Sequence, residues 1–357
     1  MTLILGIETS CDETAASVVR DGRTVLSNVI ASQHALHEEY GGVVPEIASR
    51  AHAERISPVI ERALSDAGVS HSELSAVAVG NRPGLIGSLL IGVSAAKALA
   101  WTLGVPVIGI DHLRAHLYAG LLDRDEPVED TFPAIGLVVS GGHTSIYRCD
   151  DPLACELLGK TIDDAVGEAY DKVAMMLGLG HPGGPKVDEL ARDGDDSAHD
   201  FPVSRLAKDS LDFSFSGLKT SVLYTVRGKP RPNEQGVSTF ERDASALNDS
   251  QIRDLCASFQ RAVARAIVLK LGRALATLEE RGVKPKTLLV GGGVSANSRL
   301  RAELTAFAEK HRLVLRLPAM GYCLDNAAMI AGLAHERLVR GDVDDLSLSA
   351  SPVGSVA

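Results

Sequence analysis

A strand, a short loop of small polar residues, a second strand and an acidic turn follow one another twice in this chain, and that repetition narrows what it can fold into. The first copy runs Leu3 to Glu8, then Thr9-Ser10-Cys11-Asp12-Glu13-Thr14, then Ala15 to Arg20, closed by Asp21-Gly22. The second runs Ala134 to Val139, then Ser140-Gly141-Gly142-His143-Thr144, then Ser145 to Arg148, closed by Asp150-Asp151-Pro152. Short apolar runs bounded by turn residues read as strands, and Asp-Gly between extended runs is a hairpin signal. Two such units predict two related lobes facing each other.

Elsewhere the period changes. Glu46 to Ala67 has helical spacing, interrupted by Pro58, a residue tolerated in a first helical turn. Leu74 to Val79 reads as a strand, Leu89 to Trp101 as a buried Ala-rich helix and Val105 to Ile110 as a strand. Ile252 to Leu278 is a long amphipathic helix, Thr287 to Val290 a strand, and Ser298 to Lys310 and Asn326 to Val339 are helices. Strands alternating with helices indicate an α/β fold. The stretch from Gly159 to Thr225 is dense in Gly, Pro and charge, Arg227 to Ser250 reads as an exposed insertion, and the tail after Gly341 reads as loose.

A chain of 357 residues holds two lobes of ordinary size, and 45% hydrophobic with 23% charged residues is a soluble globular balance. The apolar stretches Leu85 to Val93 and Ile135 to Val139 are too short to cross a bilayer, and no basic segment precedes the first strand, so a cytoplasmic protein is expected. Five cysteines without a C-x-x-C spacing read as reduced thiols. A formal charge of −10 argues against a free-standing nucleic-acid binder, although a partner can supply the positive field.

Chemistry is suggested first by Asp111-His112-Leu113-Arg114-Ala115-His116. Two histidines four residues apart share a helical face and can hold a metal when a further ligand arrives. Leu113 occupies the place where a metalloprotease helix carries its glutamate. Three small-residue turns follow strands, at Thr9 to Thr14, Ser140 to Thr144 and Gly291 to Asn297, and their amides can face an anion. None is a Walker A or a G-x-G-x-x-G sequence. Asp325 is either a helix N-cap or a metal ligand, and Asp171 and Asp188 are either surface acids or carboxylates turned into one cleft by the rigid turn Pro182-Gly183-Gly184-Pro185. A nucleophile elbow and an H-E-x-x-H helix are both missing, so covalent catalysis has little support.

Taken together, several stretches resemble the transferases of tRNA threonylcarbamoyladenosine synthesis. They are Gly6 to Thr14, Asp111 to His116, Val138 to Thr144, Gly167-Glu168-Ala169-Tyr170-Asp171-Lys172, Pro182 to Pro185, Phe213-Ser214-Phe215-Ser216-Gly217-Leu218-Lys219-Thr220, Gly292 to Asn297 and Cys323-Leu324-Asp325-Asn326. The Ser-Cys-Asp-Glu-Thr form is similar to the bacterial and organellar branch. The resemblance implies a two-lobed actin-like fold with duplicated βββαβα lobes. Residues 1–110 plus 325–340 would form the first lobe, 111–324 the second with its insertion near 227–250, and 341–357 a flexible tail. It implies transfer of threonylcarbamoyl from threonylcarbamoyl-AMP to N6 of adenosine 37 in tRNAs reading codons that begin with A, releasing AMP. It further implies one divalent ion, Fe(2+) or Zn(2+), on His112, His116 and Asp325. The adenylate would lie against Val138, Val139, Ser140, Gly141, Gly142, Asp171, Gly184, Asp188 and Asn297. Expected partners are tRNA, a smaller actin-like paralogue, a P-loop ATPase and a separate enzyme that makes the adenylate.

The chemistry suits those residues. A carbamoyl carbon in a mixed anhydride is already activated, so orientation and polarisation matter more than an enzyme nucleophile. Glu13 and His143 are the candidates to receive the N6 proton. The segment 227–250 is longer than the family pattern leads one to expect. Rival readings are an actin-fold ATPase or small-molecule kinase using the same loops, a metalloprotease, and a non-catalytic scaffold.

Overall fold

The computed structural model describes residues 1–354 apart from 204, 205, 208, 233–237, 241 and 243. In chain order the first lobe contains β1 (Leu3–Glu8), β2 (Glu13–Arg20), β3 (Thr24–Ser32), α1 (His34–His37), α2 (Pro45–Ala67), β4 (Ala76–Arg82), α3 (Ile86–Leu103) and β5 (Val107–Asp111). Then come α4 (His112–Tyr118), β6 (Ala134–Val139), β7 (Thr144–Cys149), β8 (Cys155–Lys160), α5 (Val166–Met176), α6 (Gly183–Ala191) and α7 (Ser216–Arg227). The chain continues with β9 (Arg231–Pro232), β10 (Ser238–Thr239), α8 (Asp249–Glu280), β11 (Thr287–Gly291), α9 (Ser298–His311), β12 (Val314–Arg316) and α10 (Ala327–Val339).

The two large sheets have one plan. Their strand orders are β3-β2-β1-β4-β5 and β8-β7-β6-β11-β12. In each, a three-stranded antiparallel meander is extended by two parallel strands. The Asp21-Gly22 turn is made as its sequence requires, with positive φ at both residues. The duplicated two-lobed actin-like architecture is therefore present.

The helices that follow the last strand of each sheet cross over. Helix α4, after β5, packs on β6 and β11 of the other sheet, while α10, after β12, packs on β1, β2 and β4. They also touch each other. Each lobe has its own apolar cluster, and a third joins them, formed by Ile108, Ile110, Leu117, Val138, Leu289, Met329 and Ile330 among others. Close approach here needs glycine: a Cβ on Gly291 would overlap the His116 carbonyl, and one on Gly6 the Ala327 carbonyl.

Several expectations change. Pro58 lies inside the continuous helix α2, whose first turn holds Pro45 instead. Pro58 is on the exposed face, where water can reach the carbonyl that its missing N–H leaves unpaired. Glu13 and Thr14 belong to β2, not to the preceding turn, and Gly183 to Pro185 open α6, with Pro182 as the preceding cap position. Helix α3 spans 18 residues and is long and apolar enough to cross a membrane by length and composition, but Leu89, Val93, Ala96 and Ala100 are buried. Val93, Ala96 and Ala100 pack in the first lobe's own cluster.

The stretch after Gly341 was expected to be loose. Asp344 bridges Val107, its carboxylate accepts from Gly109 N at 2.8 Å, and Ser351 N donates to Asn81 O at 2.9 Å. That backbone pairing and the Leu348 side chain tie 344–351 to the first sheet. Cys149 and Cys155, far from conspicuous in sequence, face each other across β7 and β8 as free thiols. Part of the 227–250 segment lies outside the described residues; within it, Arg227 stacks over Phe240 at 5.9 Å.

The matched stretch Phe213 to Thr220 is held by two adjacent acids. Asp163 accepts from Ser214 Oγ, Phe215 N and Ser216 Oγ, and Asp164 pairs with Lys172 and Lys219 at 2.8 and 2.7 Å.

Candidate functional site

The parallel strands of both sheets end at the same edge, and the candidate residues stand there. In open α/β sheets that carboxyl edge is where ligands bind. Loop Thr9–Asp12 follows β1, His112 follows β5, Ser140–His143 follows β6, and Gly292–Asn297 follows β11.

The metal candidates sit at the starts of the two crossed helices. Asp111 Oδ1 accepts from Leu113 N and Arg114 N at 3.0 and 3.3 Å, which caps α4 and points its first turn at α10. Asp325 is not the cap of α10; Asn326 is, with Oδ1 accepting from Met329 N at 3.0 Å. Asp325 is thereby left for other use. Its Oδ1 lies 3.4 Å from His112 Nε2 and 3.2 Å from His116 Nε2. The imidazoles meet edge-on, 4.5 Å between centroids.

Two nitrogens and a carboxylate oxygen within 4.8 Å of one another fit a divalent transition ion. A further observation favours this. His116 is completely buried, yet among the described residues neither ring nitrogen makes a well-formed hydrogen bond, Nε2 meeting Asp325 Oδ1 only as an ion-pair contact at 3.2 Å, an arrangement that costs about 1–3 kcal/mol per group unless a ligand takes the lone pair. Burial, then His112, lowers the His116 pKa, which keeps it in the neutral form a metal needs. Burial opposes charge on His112 too, but Asp325 and Glu8 outweigh it and raise its pKa well above the ordinary value. Asp325 is held well below the usual carboxylate range: its burial is overcome by His112 and His116.

Residues not singled out from the sequence orient this group. Glu8, fully buried at the end of β1, places Oε2 3.0 Å from His112 Nδ1, and Ser10 Oγ lies 3.3 Å from the same nitrogen. A carboxylate on the far nitrogen fixes the imidazole's tautomer and aim. The signal was there in the sequence: a glutamate ending an otherwise wholly apolar strand has to be paired when buried.

Glu13 and His143 both border the centre. Burial, then Asp325 and Asp12, push the Glu13 carboxyl up to about 10. Burial, then His112 and His116, lower His143 to about 4. His143 N donates to Ser140 Oγ at 3.1 Å, and Ser140 N donates to His143 O at 2.8 Å, so the loop is a closed turn.

The expected adenylate residues divide into two groups. Val138 and Val139 have no exposed side chain, so only their backbone can meet a ligand. Gly141, Gly142 and Gly184 border open space, since a Cβ at any of them would touch nothing within 4 Å. Asp171 Oδ1 accepts from Gly183 N at 2.7 Å and lies 3.8 Å from His181 Nδ1. Asp188 and Asn297 are joined to each other through Gln260, with links of 3.1 and 2.9 Å. Both are also spent on the start of α9: Ser298 Oγ donates to Asp188 at 2.7 Å, and Leu300 N to Asn297 at 2.9 Å. The two aspartates therefore sit in separate networks, not side by side.

Known proteins are similar to this chain over nearly its whole length. The family model described as tRNA N6-adenosine threonylcarbamoyltransferase matches residues 24–332. A protein of that name from Trichlorobacter lovleyi is 49% identical over 99% of this chain and 98% of its own, and one from Symbiobacterium thermophilum is 50% identical over 98% and 96%. Among solved structures, HypF of T. kodakarensis is similar over 97% of this chain and 49% of its own, with a TM-score of 0.60 at 15% identity. The activator of 2-hydroxyisocaproyl-CoA dehydratase from Clostridium difficile, with bound ADPNP, gives 0.50 at 13% over 98% and 100%. At those identities the structures speak to the fold alone, and the fold is the two-lobed one found here. Full-length identity near one half is a different matter, and by it this chain belongs to the tRNA N6-adenosine threonylcarbamoyltransferase family.

Proposed function

We propose that this protein transfers threonylcarbamoyl from threonylcarbamoyl-AMP to N6 of adenosine 37 in tRNAs reading codons that begin with A, with AMP as the leaving group. The observation that carries the reading is the His112–His116–Asp325 constellation, its two histidines buried and Asp325 half-buried, facing loops whose glycines leave room for a nucleotide. A divalent ion held there, Fe(2+) or Zn(2+), supplies Lewis acidity toward an oxygen of the acyl donor and offsets the Asp325 charge felt by Glu13.

The protein groups have separate tasks. Amides of the Val138–Gly142 loop face the adenylate phosphate, Gly184 admits the nucleoside, and Asp171 accepts from it. Asp188 and Asn297 hold the start of α9 so that the Gly292 turn keeps its shape. Burial and the Asp325 charge hold the Glu13 carboxyl protonated at neutral pH in the metal-free chain; with the Asp325 charge offset, its carboxylate takes the N6 proton, while His143, lowered to about 4, stays neutral beside the acyl group.

A chain of formal charge −10 makes a poor tRNA surface by itself. The reading therefore includes partners: a smaller actin-like paralogue, a P-loop ATPase and an enzyme forming the adenylate, all in the cytoplasm with the tRNA. The decisive experiment supplies threonylcarbamoyl-AMP and tRNA to the protein and its partners and measures nucleosides by mass spectrometry. Threonylcarbamoyladenosine accumulates if the reading is right, and its absence overturns it.

A further inference from the structure

One imidazole at the rim of this site has no task so far. His34 begins α1 directly after β3. Its Nε2 lies 3.5 Å from Glu13 Oε1 and its Nδ1 lies 3.4 Å from Asp12 Oδ2. Exposure rises outward through the group, from 8% for the Glu13 side chain and 10% for Asp12 to 41% for His34. From the other lobe, His181 meets the His34 ring edge-on at 6.0 Å between centroids, and Asp171 lies 3.8 Å from His181 Nδ1. The titratable groups facing His34 are thus Asp12 and Glu13 on its own lobe and His181 and Asp171 across the cleft.

The transfer chemistry needs an exit for one proton. As N6 attacks, an N–C bond forms and the bond from the carbamoyl carbon to the phosphate oxygen breaks, its electron pair leaving with AMP. The N6 proton passes to a protein group and must reach water before the next turnover. Glu13 is enclosed, so a proton it accepts needs a neighbour to reach water, and His34 Nε2 stands 3.5 Å from its Oε1 on the more exposed side. Imidazole is the side chain that trades protons with water near neutral pH. The Asp12 carboxylate raises the His34 pKa against the effect of partial burial, with Asp171 helping from across the cleft.

We propose that His34 is the proton outlet of the reaction, receiving the N6 proton from Glu13 and delivering it to solvent at the mouth of the cleft. The proposal rests on Glu13 as the acceptor from N6. His34 does not meet the substrate; it acts through Glu13, and because it is half exposed its replacement leaves the core packing alone.

The test compares His34→Ala, His34→Gln and Glu13→Gln in the full chain with its partners, adenylate and tRNA. The expected result is a fall in kcat of at least about 10-fold for His34→Ala at unchanged KM for threonylcarbamoyl-AMP, within the range general acid–base groups contribute. Added imidazole restores part of that rate, and His34→Gln loses a limb of the wild-type kcat–pH profile between about pH 6 and 8. Wild-type turnover in His34→Ala overturns the proposal. So does a loss that imidazole does not rescue while His34→Gln keeps the wild-type profile, or a change confined to KM. If Glu13→Gln is fully active, the assignment of Glu13 fails and the relay with it. If Glu13→Gln is dead and His34→Ala is normal, only the relay fails.

Discussion

Glu8 Oε2 lies 3.0 Å from Nδ1 of His112, and both side chains are buried. That contact turns Nε2 of the same ring toward Asp325. A carboxylate in this position raises the basicity of a metal-binding imidazole, and its loss costs about 10–100-fold in metal affinity. Glu8→Gln is therefore expected to lower affinity by that factor, measured by competition with a chelator of known strength. Unchanged affinity would show that Glu8 serves packing alone.

His116 makes an opposite prediction for the metal-free and metal-loaded forms. Since Nδ1 has no hydrogen-bond partner among the described residues and Nε2 meets only Asp325, His116→Leu removes about 1–3 kcal/mol of unsatisfied polarity from the metal-free protein while abolishing the third donor. Urea midpoints without metal should be equal to or above wild type, whereas the rise on adding Fe(2+) or Zn(2+) should vanish. A variant that still gains stability from metal would remove His116 from the site.

Gly291 tests the crossing of α4 onto the second sheet. A Cβ there overlaps the His116 carbonyl, and such overpacking costs about 1–3 kcal/mol. Gly291→Ala should destabilise the chain by this amount and also weaken metal binding, although residue 291 carries no ligand. Thermal melts and metal content read the two effects separately.

The pH dependence of stability in the metal-free protein has a contribution of known sign from His143. Its pKa falls from 6.5 to about 4 on folding, so the unfolded chain takes up the proton first as pH drops. Above pH 6.5 its contribution is fully present, and between 6.5 and about 4 it is lost, amounting to about 3 kcal/mol. His143→Asn should remove that slope, seen as the difference between the two proteins' urea unfolding curves across pH 4–7. An equal slope in both would place His143 in a more open environment.

Asp344 accepts from Gly109 N at 2.8 Å and from Arg337 at 2.9 Å, and Arg337 also donates to Gly109 O. Ending the chain after Val343 leaves the Gly109 N–H without its acceptor, while Arg337 keeps Asp342 and Gly109 O, and should cost about 1–3 kcal/mol. The measurement is the denaturation midpoint of the truncated protein. A midpoint equal to wild type would return residues 344–354 to the status of a loose tail.

Local pattern carried much of this protein. The duplicated meander was legible because strand period and the Asp21-Gly22 turn are properties of neighbouring residues, and the His112–His116 pair because a helix sets that spacing. Tertiary structure decided the rest. Whether Asp325 or Asn326 caps α10 cannot be told from adjacent polar residues; it depends on where the helix is docked, and the docking leaves Asp325 to the histidines. Glu8 meets His112, and His112 meets Asp325, only because β1, β5 and the end of the second lobe are brought to one edge by two helices that exchange lobes. Sequence spacing fixes what lies within a turn or two of a residue, while contacts between positions as distant as His112 and Asp325 follow from how the sheets and their shared core pack.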